Sequence, residues 1–468
     1  MATEVNLRPI LDRKQWEMCN FGPQASVANS FAVSSGLKDK YQFFAFSAAL
    51  VYIYDPINDG WMLLPNPVMG GVWGLGSCGA RHPQGPRSIA TAGTTTTLTT
   101  SLSMQRVMKG YTIRIIAGPN AGKEFVIKTN TTGPNSIITI EGTATVAFTN
   151  ASEFILMTGR MYFLNAGGQS TSSFKYYDLA LNSWIAGSFA NLPASIGVDG
   201  KLVSTPGYSN LDYTTNSVTS ATSTVITVTG AGWGVNTWAN YQVRITEGTG
   251  AGQFRGVISN TATTVTTAAW TVVPDATSKF VIEGNDDYLY FLGNGAVTMY
   301  RYSISANTWT VLAPTVARSG APIGGMSAHW VSGVTDPTWN LPANFLNGQY
   351  IYSARGGASL VIDRYNITTN AWENDIVYSP RAETFVAGHS YCYTDDYIYI
   401  MQGNLGRMVR YNIPEARMEP SSQLWYTQGA VLQGDRLFDV LYEDGTTKLR
   451  YMYYMTASQP TLFRTLLF

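Results

Sequence analysis

The residues with the types and spacing to do chemistry are few. Gly118-Pro-Asn-Ala-Gly122-Lys123-Glu124 echoes a phosphate loop, in which backbone amides and a lysine cradle phosphate oxygens. It is one residue short, lacks the Ser or Thr that would hold magnesium, and runs on into strand-like sequence. A sister stretch carries Gln253 where the lysine would be, so a hairpin turn is the better reading. The carboxylate pairs Asp286-Asp287 and Asp395-Asp396 could serve acid–base catalysis. Both stand just before a Tyr-x-Tyr segment, and a repeated turn explains that placement without catalysis. His329 and His389 occupy comparable places in successive repeat units and suit satisfied core or rim positions better than ligand roles. Cys19, Cys78 and Cys392 are too few and too scattered for a disulfide framework or a zinc site. No Ser-His-Asp or Cys-His set can be assembled. The expectation is therefore no catalytic, cofactor-binding or metal-ligating residues, and no cofactor.

The elements that would position any such residue come from the rest of the chain. Its 468 residues carry 30 basic and 30 acidic side chains, and only 13% are charged. That balance gives no basic field for sequence-specific nucleic-acid binding or for a membrane surface. With 45% hydrophobic residues the chain can bury a large core, and 45 glycines with 20 prolines point to many turns and short strands. The longest apolar run, Phe43 to Tyr54, is too short to span a membrane. The first residues lack the apolar core of a secretory signal, so no export is expected.

One phrase repeats. Tyr54-Asp55-Pro-Ile-Asn58-Asp-Gly-Trp61 returns as Tyr177-Asp178 to Trp184, Tyr302-Ser303 to Trp309 and Tyr365-Asn366 to Trp372, always with seven positions from Tyr to Trp. A fifth, stretched copy is expected from Tyr411-Asn412 to Trp425. Each reads as a strand, a polar turn and a strand opened by tryptophan. Upstream of each copy lies a β-rich segment that ends in glycine, such as Met161 to Gly168 or Tyr350 to Gly357, and in places a small-residue strand before that. Each unit therefore reads as four strands.

This pattern resembles Kelch-type propeller blades in the glycine pair, the Tyr-Asp and the Trp, across most of residues 1–87, 159–213 and 285–468. Ser303 departs from the usual aspartate. The resemblance implies an all-β, six-bladed Kelch-like β-propeller. The last blade supplies three strands near 436–442, 448–454 and 462–468, and Gln15 to Phe21 is expected to close it as the fourth.

Tryptophan spacing places two insertions, at 88–158 and 214–284, between the first and second strands of the second and third blades. They are related: Tyr111-Thr-Ile-Arg114-Ile115 to Gly122 aligns with Tyr241-Gln-Val-Arg244-Ile245 to Gly252 at an offset of 130, and Phe154-Ile-Leu matches Phe280-Val-Ile. Each reads as a small threonine-rich antiparallel β domain projecting from the same face. Trp233, Trp238 and Trp270 are expected in the core of the second, and Trp339 lies outside the repeat. The G-x-x-A-G hairpin and the Pro274 to Phe280 stretch resemble β modules of phage virion proteins. The resemblance implies a non-enzymatic virion structural component of the tail or head–tail connector, assembled in the host cytoplasm and partnered by other virion proteins and by copies of itself as a homo-oligomer. A capsid decoration protein, or a propeller that binds or cleaves carbohydrate at its channel mouth, is the alternative, with a host-surface glycan as partner.

Overall fold

The computed structural model describes residues 17–23, 31–34, 42–46, 50–65, 73–166, 173–204, 210–320, 328–331, 350–355, 361–378, 390–402, 407–419, 436–455 and 460–466, apart from gaps of one to three residues inside these ranges. The described secondary structure is strand throughout, with no helix, and all pairing between strands is antiparallel. His389, Asp286, Asp395, Asp396, Trp339 and Trp425 fall outside the described residues.

Six sheets have four strands each. The first runs Phe31–Ser34, Gln42–Phe46, Leu50–Asp55 and Gly60–Leu63, and the second Cys78–His82, Arg160–Asn165, Ser173–Asp178 and Ser183–Ile185. The third is Lys201–Ser204, Tyr288–Leu292, Met299–Ser303 and Thr308–Val311. The fourth is Ala328–Val331, Tyr350–Ala354, Val361–Asn366 and Ala371–Tyr378. The fifth is Ser390–Tyr393, Tyr397–Gln402, Arg407–Asn412 and Arg417–Glu419. The sixth joins both ends of the chain: Arg436–Asp444, Thr447–Met455 and Leu462–Leu466 are completed by Glu17–Met18, with Glu17 opposite Arg464 and Met18 opposite Phe463. First strands lie beside one another: that of the second sheet against those of the first and third, the third's against the fourth's, and the sixth's against those of the fifth and first.

The repeated phrase acts locally and between sheets. In every copy the residue after the tyrosine accepts a hydrogen bond from the amide three positions on: Asp55 from Asn58, Asp178 from Leu181, Ser303 from Ala306, Asn366 from Thr369 and Asn412 from Glu415. These are Asx and Ser turns. The residue two before the tryptophan lies in the left-handed region, with φ of 47° at Asp59, 49° at Asn182, 52° at Asn307 and 50° at Asn370, where Asn and Asp are tolerated best. Its side chain accepts the tyrosine hydroxyl, at 2.7 Å from Tyr54 to Asp59, 2.8 Å from Tyr302 to Asn307 and 2.6 Å from Tyr365 to Asn370.

That residue and the tryptophan also clasp the chain leaving the preceding sheet. Asn307 Nδ2 donates to the Ser188 carbonyl and Trp309 Nε1 to that of Ala190, both at 2.9 Å. Asn370 Nδ2 reaches Ala313 and Trp184 Nε1 reaches Pro65, both at 2.8 Å. The first sheet clasps the sixth in the same way, since Asp59 accepts from the amide of Asn20 at 2.9 Å, just past the strand Glu17–Met18.

The fifth copy corrects the sequence expectation. It is not stretched: Tyr411 pairs with Met418, as Tyr365 pairs with Trp372. Methionine replaces tryptophan seven positions on, and Ala416 takes the left-handed site at φ 49°. A flexible thioether fills the space the indole fills elsewhere, and Met418 is buried.

Both insertions are β domains built on one plan. The first is a closed barrel of Arg87–Gly93, Thr97–Thr100, Thr112–Ala117, Glu124–Asn130, Ile137–Ile140 and Glu153–Met157. The second has the same strand order, with its first strand divided into Asn210–Ser217 and Ser220–Ala221, followed by Val225–Thr227, Gln242–Glu247, Phe254–Asn260, Thr264–Thr267 and Lys279–Glu283. The second encloses its own apolar core around Ile226, Val243, Ile245, Val265, Phe280 and Ile282, whereas that of the first, around Leu98, Ile113, Ile115 and Ile127, runs on into the buried cluster of the first and second sheets. Matching asparagines fix matching loops: Asn130 Oδ1 accepts from the Met108 amide at 2.6 Å, and Asn260 Oδ1 from that of Trp238 at 2.7 Å.

Candidate functional site

The G-x-x-A-G stretches are hairpin tips. Gly118, Asn120 and Gly122 have φ of 77°, 64° and 83°, and Gly248, Gly250 and Gly252 have 75°, 80° and 90°. Three left-handed residues at alternate positions make a tight reversal, and Ile115 closes it by accepting from the Gly122 amide and donating to the Lys123 carbonyl. Strand Glu124–Asn130 follows directly. With strand rather than helix behind the turn, no helix N-terminus exists to receive a phosphate. The motif's work is different: the two tips bring the domains together.

The contact is reciprocal. A Cβ on Gly122 would lie 2.4 Å from the Thr246 carbonyl oxygen, and one on Gly252 would lie 2.0 Å from that of Ile116. At the offset of 130, Gly122 corresponds to Gly252 and Ile116 to Thr246, so residue i of one domain meets residue j of the other and j meets i. This is the signature of a two-fold contact, made here between two halves of one chain. Glycine is required at both places because backbone meets backbone.

Four charges sit at this contact. Arg114, Arg244 and Glu283 are buried, at 3%, 5% and 1% exposure, and Glu124 is partly covered. Arg114 Nε donates to Glu124 Oε1 at 2.6 Å within the first domain. Arg244 holds Glu283 with two parallel bonds at 2.9 and 3.2 Å within the second. Across the contact, Arg114 stands 3.6 Å from Glu283 and Arg244 stands 3.6 Å from Glu124. Arg244 Nη1 also donates to the carbonyl of Gly122, and Gln242 Nε2 to Glu283 at 3.1 Å. Burial opposes ionisation of Glu283, but the Arg114 and Arg244 guanidinium groups outweigh it and hold the carboxyl below its ordinary value. At the rim, Lys123 crosses over to Glu247 at 2.6 Å, and Lys279 joins it at 2.9 Å. Hydrogen bonds from these two ammonium groups bring the Glu247 carboxyl down to about 2.

The opposite corner is apolar. Ile116, Ile155 and Met157 form a buried cluster of the first domain, and Phe254 of the second packs against it. What the arrangement can do chemically is hold two β domains as one body, with the charges neutralised by one another.

The other sequence candidates are placed as structural parts. Asp287 accepts from Ser303 Oγ at 2.6 Å and from the Ser305 amide at 2.7 Å, which supplies the turn contact that Ser303, in place of aspartate, cannot make alone. His329 lies on strand Ala328–Val331 opposite Tyr352. Trp270 is buried in the second domain's core, with Trp233 and Trp238 packed against it. Cys19 and Cys78 are buried thiols, and burial pushes Cys78 up to about 12. Among the described residues no group of three or more His, Cys, Asp or Glu is arranged to hold a metal ion, and no helix is long and apolar enough to cross a membrane. Sequence reasoning missed the four-charge contact. Its signal was an arginine inside an apolar strand, Ile113-Arg114-Ile115-Ile116, present in both copies.

No protein-family model matches the chain. No curated protein matches it either. Among solved structures, it is similar to a crystal structure of the computationally designed Ika8 protein, at 8% identity and a TM-score of 0.32, over 96% of this chain and 98% of that one. A likeness of that size carries no argument about fold or function.

Proposed function

We propose that the six four-stranded sheets close into a six-bladed Kelch-like propeller, and that the chain is a non-enzymatic structural component of a phage virion. The place that suits it is the tail or the head–tail connector, with the inserted domains as subunit contacts. Support for ring closure comes from the neighbouring first strands, the clasp from the second, third and fourth sheets to the one before, and the same clasp between Asp59 and Asn20. The observation that carries the functional reading is the docked domain pair. Two related β domains inserted at equivalent points of neighbouring sheets, and locked to each other by buried charges, form a rigid projection suited to permanent assembly. Asp287, one of the carboxylates singled out for catalysis, is engaged in a turn.

The test is the mass of the purified full-length chain by light scattering over a range of concentrations, with negative-stain images of the same sample. A closed oligomer of defined symmetry is the expected result. A 51.0 kDa monomer at every concentration, together with saturable binding to a glycan, would replace this reading with a carbohydrate-binding propeller.

A further inference from the structure

The two inserted domains are copies, yet their docking faces are not interchangeable. Position 124 of the first domain corresponds to 254 of the second, and 116, 155 and 157 correspond to 246, 281 and 283. At one corner Phe254 meets Ile116, Ile155 and Met157. At the other, Glu124 meets Arg244, which holds Glu283. Each corner is uniform, one apolar and one charged, only because unlike domains face each other. Two first domains would press Glu124 onto Ile116, Ile155 and Met157 at both corners. Two second domains would press Phe254 onto Thr246, Val281 and Glu283 at both. The rim agrees, since the Lys123 to Glu247 pair exists only across unlike domains: the first domain has Ala117 where the second has Glu247, and the second has Gln253 where the first has Lys123. Buried carboxylate against apolar surface, or aromatic against charge, leaves polar groups unpaired and rejects the wrong partner.

We infer that the hairpin face of each inserted domain is a recognition surface for the unlike inserted domain, and that a second copy of this chain supplies that partner when the one in cis is blocked. The exchange joins copies through a contact the monomer already contains. It concerns only this face and does not depend on the virion reading.

The experiment is a complementation between two full-length variants. Gly252→Arg fills the backbone contact of the second domain and leaves the first domain's face free. Gly122→Arg does the converse. Each variant alone should keep the mass that the wild-type chain shows by light scattering under the same conditions, because only like faces remain. Mixed in equal amounts, they should double in mass, as the free first domain of one takes the free second domain of the other. Circular dichroism of each variant confirms folded β structure, so that a misfolded domain is not read as a failure to pair. A mixture that does not double in mass overturns trans recognition. Doubling by either variant alone overturns the selectivity for unlike domains. Because the readout is pairing of blocked variants, its failure is distinct from failure of the wild-type chain to form a virion-like oligomer.

Discussion

Ala416 is the one place in the described repeats where an alanine holds a left-handed backbone, at φ 49°, while Asp59, Asn182, Asn307 and Asn370 hold it elsewhere. Non-glycine residues at positive φ cost about 1 kcal/mol or more, less for Asn and Asp. Ala416→Asn should therefore stabilise the chain by roughly 0.5–1 kcal/mol in denaturant unfolding, and a loss of stability would refute the assignment of that turn. The converse change, Asn307→Ala, removes the acceptor of the Tyr302 hydroxyl and of the Ala190 amide, and the donor to Ser188. It should destabilise by about 1–3 kcal/mol, with Asn307→Gly recovering the backbone part of the loss. Thiol chemistry belongs at this scale too. Cys19 and Cys78 should resist alkylation in the native protein and react on unfolding, as mass mapping of the labelled sites would show.

At the scale of elements, the domain pair contributes to the pH response. Glu283 and Glu247 both titrate below their ordinary value of 4.5, so each binds protons more weakly in the docked state than in the unfolded chain. Their contribution is fully present above that value and is lost as pH falls toward the docked-state range, which for Glu247 lies near 2. Thermal stability should decline as pH is lowered from 5 toward 3, and Glu247→Gln should flatten part of that decline. Glu283→Gln leaves Arg114 and Arg244 short of their buried counter-charge and should cost about 3 kcal/mol, on the order found when one partner of a buried pair is removed. A melting temperature equal to wild type at neutral pH would remove Glu283 from that role.

The same scale shows what could be read in advance. The relation of the insertions was legible because glycine turns demand particular residues, and Gly118 and Gly122 align with Gly248 and Gly252. The repeat was legible where tryptophan marked it. It was misread at Trp425, because residue type was weighted above spacing: seven positions from Tyr411 stands Met418, which fills the same space. The four-charge contact was legible only in the arginine of each apolar strand, not in its pairing, for another reason. Arg114 and Glu283 are far apart in sequence, and no local pattern announces that an arginine in an apolar strand will find its carboxylate in another domain.

For the whole molecule, five of the six sheets share one local grammar, and the insertions interrupt it twice at the same point, after Cys78–His82 and after Lys201–Ser204. Excising residues 210–284 and bridging Ser204 to Tyr288 should leave the six sheets folded, because the second domain carries its own core. The first domain would then expose Ile116, Ile155 and Met157, and binding of a fluorescent apolar dye should rise relative to the intact chain. An unfolded product would show instead that the sheets depend on the inserted domain.

The pairing of Glu17–Met18 with Leu462–Leu466 has a consequence for biosynthesis. A ribosome delivers Glu17–Met18 first and Leu462–Leu466 only after all the residues between them have emerged. At about 5–20 residues per second that interval is on the order of a minute. Throughout it Glu17–Met18 has no strand to pair with, so this sheet is completed only once Leu462–Leu466 has emerged. A chaperone that shields that early segment would cover a strand kept waiting for its partner.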